Sequence, residues 1–339
     1  AADPPALLLH ARRCARRARR TEYPVVRDWL AVSNVAADAR LLAIDTDGDG
    51  DDEVLVSGAG GGTVVLGEGR LPRNFDAGVP DARATVAFDA DGDCALDLAG
   101  LSPEGGFVQV RSESNDVRRV GLGARSLAVG DLLGDGRVSV ALATPSAVVI
   151  VAVDAPTDVY ALRADDATHV GVTDLDGDLQ ADLVISAATG TSAWRASGGT
   201  FVAHAATFPE AVAAARGPVS FGDLDADGRV DVVVADARLV RVARSVGAMG
   251  YVEASVVTLS RPAIHLRVGD VDGDCQDDVV AVDEGGTLAL FRAGAGATLT
   301  RVLLSLGLAV DAVFADVDGD GPRELVVLER SGAVRVVGS

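Results

Sequence analysis

One acidic nine-residue segment recurs seven times along this chain of 339 residues. The copies begin at Asp45, Asp89, Asp131, Asp174, Asp223, Asp270 and Asp316, and subtracting successive starts gives intervals of 44, 42, 43, 49, 47 and 46 residues. A period of this size is typical of the four-stranded blades of a β-propeller. The repeat therefore predicts seven similar units, each as long as one blade.

The residues beside each acidic segment predict strands. A short apolar run precedes each copy and another follows it, as in LLAI before Asp45 and EVLVSG after it. A third β-rich run comes next, as at 62–68 and 147–153, and a weaker fourth run follows most of these. The composition, with 39 glycines and 48% hydrophobic but only 4% aromatic residues, also favours many short strands and tight turns. We therefore expect an all-β fold, a seven-bladed β-propeller of four-stranded antiparallel blades.

The two ends of the chain are predicted to meet in one blade. Only two strands remain after the last acidic segment, so the seventh blade lacks its outer strand. Residues 24–33 (PVVRDWLAVS) precede the first repeat and can supply that strand, which would close the ring and remove exposed sheet edges. The alternative is that 24–33 are a linker. The expected division is a basic, helix-compatible arm over 1–23 and a propeller over 24–339.

The acidic segments have the spacing of calcium ligands. Calcium takes six to eight oxygen ligands, and alternating acids in a tight loop can turn their carboxylates towards one centre. Six copies carry carboxylates at the first, third, fifth and ninth places. These are Asp45, Asp47, Asp49 and Glu53; Asp89, Asp91, Asp93 and Asp97; Asp174, Asp176, Asp178 and Asp182; Asp223, Asp225, Asp227 and Asp231; Asp270, Asp272, Asp274 and Asp278; and Asp316, Asp318, Asp320 and Glu324. Asp51 is a further candidate in the first copy.

The third copy departs from this pattern. Leu133 and Ser139 stand where carboxylates are expected, and only Asp131 and Asp135 remain. We therefore expect about six Ca²⁺ sites, with the third loop weak or empty. Magnesium fits less well, because it prefers a stricter octahedron and keeps more water. Six bound ions would add 12 positive charges to the formal charge of −20, so metal accounts for most of the acidity.

These segments resemble the FG-GAP/VCBS repeats, the calcium-binding propeller repeats also found in the head of integrin α subunits. The resemblance covers about 45–339, and Phe221-Gly222 and Val268-Gly269 stand where the family places its Phe-Gly pair. It implies that the calcium loop joins the first and second strands of each blade. It also implies calcium-stabilised display of a binding face, commonly in adhesion or surface assemblies, with ligands usually on the face opposite the loops.

Glycine is expected at the fourth and sixth places of each loop, where the backbone adopts conformations that other residues resist. Ala226 replaces the first of these glycines in one loop, and Cys94, Leu179 and Cys275 replace the second in three others. We expect these loops to be slightly strained or to bind more weakly.

The sequence favours a binding module over an enzyme. Its four histidines are scattered and no set of catalytic groups converges; they are His10, His169, His204 and His265. We expect a protein partner or self-assembly, in an adhesion or surface-scaffold role. The alternative is a calcium-dependent, lectin-like carbohydrate-binding propeller, although aromatic residues are few and Trp29 and Trp194 fall in predicted strands. The acidic charge disfavours a nucleic-acid partner. The sequence has no run of some 18 apolar residues, so membrane insertion is not expected.

Millimolar calcium outside cells can fill weak sites, so a secreted, cell-surface or periplasmic location is expected. All 30 basic residues are arginine, which is typical of a GC-rich bacterial genome. The one methionine is Met249, so Ala1 is not expected to be a translation start, and a cleaved signal peptide is one explanation.

The basic arm and the cysteines leave alternatives open. The arm has six arginines between residues 12 and 20, and strand direction predicts that it emerges on the face of the calcium loops. It then lies near the acidic loops, tethers a partner or is a solvated tail. Cys94 and Cys275 occupy equivalent loops of the second and sixth blades, too far apart for a disulfide. Cys14 can reach one of them, but free thiols are expected.

Overall fold

The structure is a computed structural model. It describes residues 25–31, 35–44, 52–59, 62–66, 73–75, 84–88, 97–101, 106–110, 117–121, 123–153, 159–204, 208–319 and 323–338. The arm predicted over 1–23, with its helix, lies outside these residues.

The described residues form seven four-stranded sheets, here numbered 1 to 7 along the chain. The chain begins with β1 (Val25–Ala31), which belongs to sheet 7. Sheet 1 contains β2 (Val35–Ile44), β3 (Glu53–Ala59), β4 (Gly62–Leu66) and β5 (Arg73–Phe75); sheet 2 contains β6 (Ala84–Phe88), β7 (Asp97–Leu101), β8 (Gly106–Val110) and β9 (Val117–Gly121). Sheet 3 contains β10 (Ser126–Gly130), β11 (Ser139–Ala143), β12 (Ala147–Ala152) and β13 (Val159–Arg163); sheet 4 contains β14 (His169–Thr173), β15 (Asp182–Ala187), β16 (Gly190–Ser197) and β17 (Thr200–His204).

The remaining elements follow the same order. After the short helix α1 (Glu210–Ala213), sheet 5 contains β18 (Val219–Gly222), β19 (Asp231–Asp236), β20 (Leu239–Gly247) and β21 (Gly250–Thr258). Sheet 6 contains β22 (Ala263–Gly269), β23 (Asp278–Asp283), β24 (Leu288–Gly294) and β25 (Thr298–Val302); sheet 7 contains β26 (Ala309–Ala315), β27 (Glu324–Glu329) and β28 (Ala333–Gly338). No helix among the described residues is long and apolar enough to cross a membrane.

In six sheets the four strands follow one another along the chain, and all described pairings are antiparallel. Sheet 7 differs, because β1 pairs with β28 from Val25 opposite Gly338 to Ala31 opposite Ala333. The prediction of an all-β chain built from four-stranded antiparallel units is confirmed.

The first strands of the sheets contact one another in cyclic order. β2 contacts β6, β6 contacts β10, and the series continues through β14, β18 and β22 to β26, which contacts β2 again. Each acidic loop that the structure describes joins the first and second strands of its sheet, so these loops all lie at the C-terminal ends of the first strands.

The core lies between neighbouring sheets and consists mainly of valine, leucine and alanine. Leu183 and Ile185 of sheet 4, for example, pack with Ile150 and Leu162 of sheet 3. Each such side chain stabilises the fold by about 1.5–3 kcal/mol when fully buried. The sheets therefore depend on their neighbours, since both faces of an inner strand such as β19 are buried.

Close packing explains the glycine of the Phe-Gly pair. A Cβ at Gly222 would lie 2.3 Å from Cγ1 of Val268 and 2.6 Å from Oδ2 of Asp277, both in the next repeat. A Cβ at Gly269 would lie 2.7 Å from the ring of Phe314. Glycine at this place lets the first strand of one sheet approach the next one.

Candidate metal centres

Four of the acidic loops bring three carboxylates together. In each loop the acids at the first, third and ninth places have oxygens within 4.8 Å of one another. The clusters are Asp174, Asp176 and Asp182; Asp223, Asp225 and Asp231; Asp270, Asp272 and Asp278; and Asp316, Asp318 and Glu324. Here they are called clusters 4, 5, 6 and 7, after their sheets.

The first-place aspartate shapes the loop around itself. In sheet 4, Oδ1 of Asp174 accepts a hydrogen bond from the backbone N–H of Gly177 (2.7 Å), and Oδ2 accepts one from Leu179 (2.9 Å). Sheet 6 repeats this arrangement at Asp270. A short acidic side chain can bond to the backbone a few residues ahead, which makes aspartate suited to this turn.

The ninth-place acid has a structural role that the sequence did not indicate. Asp231 is fully buried as the first residue of β19. Its Oδ2 accepts a hydrogen bond from Leu224 N in the loop (3.0 Å), and its Oδ1 accepts one from Ser245 N on the third strand (2.7 Å). Asp182 and Asp278 make the equivalent pairs of bonds. This carboxylate therefore ties the loop to its sheet.

The fifth-place aspartates lie outside the described clusters. Each instead accepts hydrogen bonds from the residue at the seventh place: Gln180 N donates to Asp178 (2.9 Å), Arg229 N to Asp227 (2.9 Å) and Gln276 N to Asp274 (2.9 Å). The side chains of these seventh-place residues also contact the same carboxylates. Of the four carboxylates predicted for each of these loops, three therefore form a cluster, and the fifth-place carboxylate bonds to the seventh-place residue.

The third loop keeps the turn without the cluster. Asp131 accepts hydrogen bonds from the N–H groups of Asp135 (3.1 Å) and Gly136 (2.9 Å), as its counterparts do. Ser139, at the ninth place, is fully buried, and its Oγ has no hydrogen-bond partner among the described residues. The turn of this loop therefore forms without the three-carboxylate cluster, and the expectation of a weak or empty site stays a prediction.

The backbone supports the inference about glycine. At the fourth and sixth places φ is positive throughout the described loops, for example 79° at Gly177 and 82° at Gly228. The three described replacements adopt the same conformation, with φ of 58° at Ala226, 65° at Leu179 and 71° at Cys275. Side chains with a Cβ resist this region, so these loops carry local strain.

Adjacent loops are connected in two places by aspartates at the eighth position. Asp223 N donates to Oδ2 of Asp277 (2.8 Å) and Asp277 N donates to the carbonyl of Asp223 (2.9 Å), which joins loops 5 and 6. Asp316 N donates to Oδ2 of Asp52 (3.0 Å) and Asp52 N donates to the carbonyl of Asp316 (2.6 Å). The second pair joins the first repeat to the last.

Burial raises the pKa of the ninth-place carboxyls. The pKa of Asp182 rises to about 6, that of Asp231 to about 7 and that of Asp278 to about 8, mainly through desolvation and further through repulsion by neighbouring aspartates. The pKa of Asp270 rises to about 6 for the same reasons. Without a cation, these carboxyls therefore ionise only at a higher pH than exposed aspartates do.

These shifts give the metal-free protein an inverted pH dependence. A carboxyl with a raised folded-state pKa contributes stability that is fully present below about pH 4 and is lost as pH rises through 6 to 8. We expect the melting temperature in EDTA to fall between pH 5.5 and 8, and to rise over that range with calcium, because binding needs ionised carboxylates. Circular dichroism melts measure both trends, and a metal-free melting temperature that rises with pH would contradict this account.

The clusters fit a hard divalent cation. Every donor is a carboxylate oxygen, the ligand type that calcium prefers. In cluster 5, Oδ1 of Asp225 is buried and finds no hydrogen-bond partner among the described residues. A buried acceptor without a donor is costly, and a cation would satisfy it.

The other predicted ligands are only partly described. Glu53 is buried at the start of β3, and the backbone of Asp97 begins β7. Outside the described residues lie Asp45, Asp47, Asp49, Asp51, Asp89, Asp91, Asp93 and Asp320.

One expectation about the cysteines is wrong. Cys275, at the sixth place of loop 6, is disulfide-bonded, whereas free thiols were expected. Its partner lies outside the described residues. The sequence pattern could not reveal this bond, because cysteine pairing depends on which distant segments meet at the loop face.

Comparison with known proteins identifies the repeat. Residues 174–234 and 270–327 match the family model of the FG-GAP-like repeat, and all four described clusters fall within these stretches. The resemblance to FG-GAP/VCBS repeats is thus confirmed over this part of the chain. No curated protein matches the sequence.

Several solved structures share the fold. Two crystal structures of BBS1N in complex with ARL6DN, soaked with mercury and with lead, have TM-scores of 0.62 and 0.63. Their identities are 12% and 11%; the matches cover 94% and 95% of this chain and 97% of each of those chains. An Agrocybe aegerita lectin that recognises non-reducing terminal N-acetylglucosamine has a TM-score of 0.51 at 18% identity, covering 80% of both chains. At these identities the likeness concerns the fold alone.

Proposed function

We propose that the chain is a seven-bladed calcium-binding β-propeller, closed by β1, that acts outside the cytoplasm as a protein-binding, adhesion or surface-scaffold module and has no enzymatic activity. One observation carries this proposal: the same three carboxylates meet at the same strand junction in four sheets. Solvated turns need no such repetition. The cyclic contacts of the first strands and the β1–β28 pairing support the ring.

Calcium would be held by the first-, third- and ninth-place acids of each cluster. Its chemistry there is electrostatic, since the ion offsets the mutual repulsion of three carboxylates that burial makes costly. The protein's own contribution is to hold the ligands, with first-place acids fixed by loop N–H groups and ninth-place acids fixed by the sheet.

A protein partner is favoured by the face opposite the loops. Ile264 and Leu308, near the starts of β22 and β26, are 40% and 52% exposed. The backbone beside Leu308 is held by hydrogen bonds from Arg330 N to the carbonyl of Leu308 and from Ala309 N to that of Gly286 (both 2.7 Å). Apolar side chains exposed on the same face of neighbouring sheets can contribute to a protein contact surface.

A capture experiment tests this function. The full chain is immobilised with calcium or EDTA and exposed to surface proteins of the source organism, and in parallel to a glycan array. We expect calcium-dependent capture of a protein, lost in Ile264→Glu/Leu308→Glu and kept in Val202→Glu, since Val202 is an exposed control on the outer strand β17. Calcium-dependent retention of one sugar class, with no protein captured, would instead support the lectin alternative.

A further inference from the structure

The residue on the third strand opposite the ninth-place acid follows a rule. Extending the strand registers by one residue places Asp182 opposite Arg195, Asp231 opposite Arg244 and Asp278 opposite Arg292. Each of these three ninth-place aspartates therefore has an arginine partner.

The ninth-place glutamate of sheet 7 has a glycine partner instead. Extending the register of β27 and β28 by one residue places Glu324 opposite Gly338. A Cβ at Gly338 would lie 2.7 Å from Cγ of Glu324, so the longer acid leaves no room for a side chain there. In sheet 3, where the ninth place is serine, the partner is Ala152.

Each described arginine reaches the third-place aspartate of its own cluster. Arg195 Nε lies 2.5 Å from Oδ2 of Asp176, an Arg244 guanidinium nitrogen 3.3 Å from Oδ2 of Asp225, and Arg292 Nε 3.1 Å from Oδ2 of Asp272. In cluster 5 the other oxygen of that aspartate, Oδ1, is the buried one without a hydrogen-bond partner. The guanidinium thus contacts one oxygen and leaves the other for a cation.

We propose that Arg195, Arg244 and Arg292 buffer the charge of clusters 4, 5 and 6, so that these clusters bind calcium more weakly than they would without the arginine and stay folded when the ion is absent. The proposal rests on the calcium-binding function above. A guanidinium beside three carboxylates supplies positive charge when the ion is absent. When the ion is bound, the same charge repels it.

The charge of the arginine affects calcium affinity more strongly than its effect on the orientation of the aspartate does. The arginine also holds its aspartate in one rotamer, which favours binding. Two positive charges a few ångströms apart near a protein surface, however, repel strongly enough to change an affinity roughly tenfold or more. Ordering one short side chain has a smaller effect, since aspartate has few rotamers to lose. The net effect of the arginine is therefore to weaken calcium binding.

Replacing Arg244 by glutamine tests the inference. Glutamine keeps amide donors near Asp225 and removes the charge. Arg241→Gln is the matched control, since Arg241 lies on the same strand, β20, and pairs with Glu253 (2.9 Å) away from the cluster. Calcium titration of the full chain by calorimetry, with a competing chelator, gives site affinities, and melting in EDTA gives metal-free stability.

We expect one site of Arg244→Gln to bind calcium roughly tenfold more tightly. The melting temperature in EDTA should fall below those of the wild type and Arg241→Gln. In the combined Arg195→Gln/Arg244→Gln/Arg292→Gln variant, three sites should tighten. Unchanged or weaker calcium binding in these variants, with wild-type sites intact, would overturn the inference alone. A wild-type chain that binds no calcium at millimolar concentration would instead refute the proposed function.

Discussion

Removing calcium is expected to lower the melting temperature of this protein by roughly 15–20 °C. A site held at a hundred times its dissociation constant stabilises the folded state by about 2.7 kcal/mol. Four described clusters, if filled independently, would contribute about 11 kcal/mol, which is comparable with the stability of a whole domain. Without the ion, the buried carboxylates of a cluster are also unfavourable when ionised: the pKa of Asp278 rises to about 8, mainly through desolvation and further through repulsion by Asp272 and Asp270.

The measurement is a thermal melt of the full chain at pH 7.5 in millimolar calcium and in excess EDTA. Excess magnesium serves as the control and should restore little of the loss, because it accepts this type of carboxylate cage poorly. A melting temperature that chelation leaves unchanged would refute calcium binding as a source of stability.

The second large effect is expected from Asp231→Ala. This substitution removes a calcium ligand and leaves the N–H groups of Leu224 and Ser245 without their acceptor in a fully buried place. Each buried donor that loses its partner costs about 1–3 kcal/mol, and loss of the ion adds to this. The total loss in calcium should be about 5–9 kcal/mol, measured by urea unfolding.

Asp227→Ala is the matched control for Asp231→Ala. Asp227 lies in the same loop but outside the cluster, and its partners Arg229 N and the Arg229 side chain are exposed. It should cost less than about 1.5 kcal/mol. If both substitutions cost the same, the ninth-place acid would not hold the special position that its burial indicates.

Much of the architecture could be predicted because it follows from a repeat that can be recognised in the sequence. A 42- to 49-residue period, apolar runs beside each loop and glycine at the fourth and sixth places all act locally, and the loops adopt the expected positive φ even at Leu179 and Cys275. The pairing of β1 with β28 could also be anticipated, since an unpaired edge strand needs a partner.

Other features depend on which strands lie opposite each other and could not be predicted. The spacing of the acids predicted four equivalent ligands. In the structure the ninth-place acid is buried against its sheet, whereas the fifth-place acid accepts a hydrogen bond from the seventh-place residue. The arginine opposite Asp231 stands 13 positions along the chain and becomes a neighbour only through the β19–β20 register. The disulfide of Cys275 likewise reflects contact between distant segments.

The reciprocal bonds between Asp52 and Asp316 have a mechanical consequence. They cross the same junction between first and last repeat that β1 and β28 cross, but at a separate point. A force that pulls the two termini apart must therefore break two sets of hydrogen bonds. One set is loaded in shear along the β1–β28 pair, and the other joins the two loops. A single cut by a protease in a connection between two other repeats would leave both pieces attached across this seam.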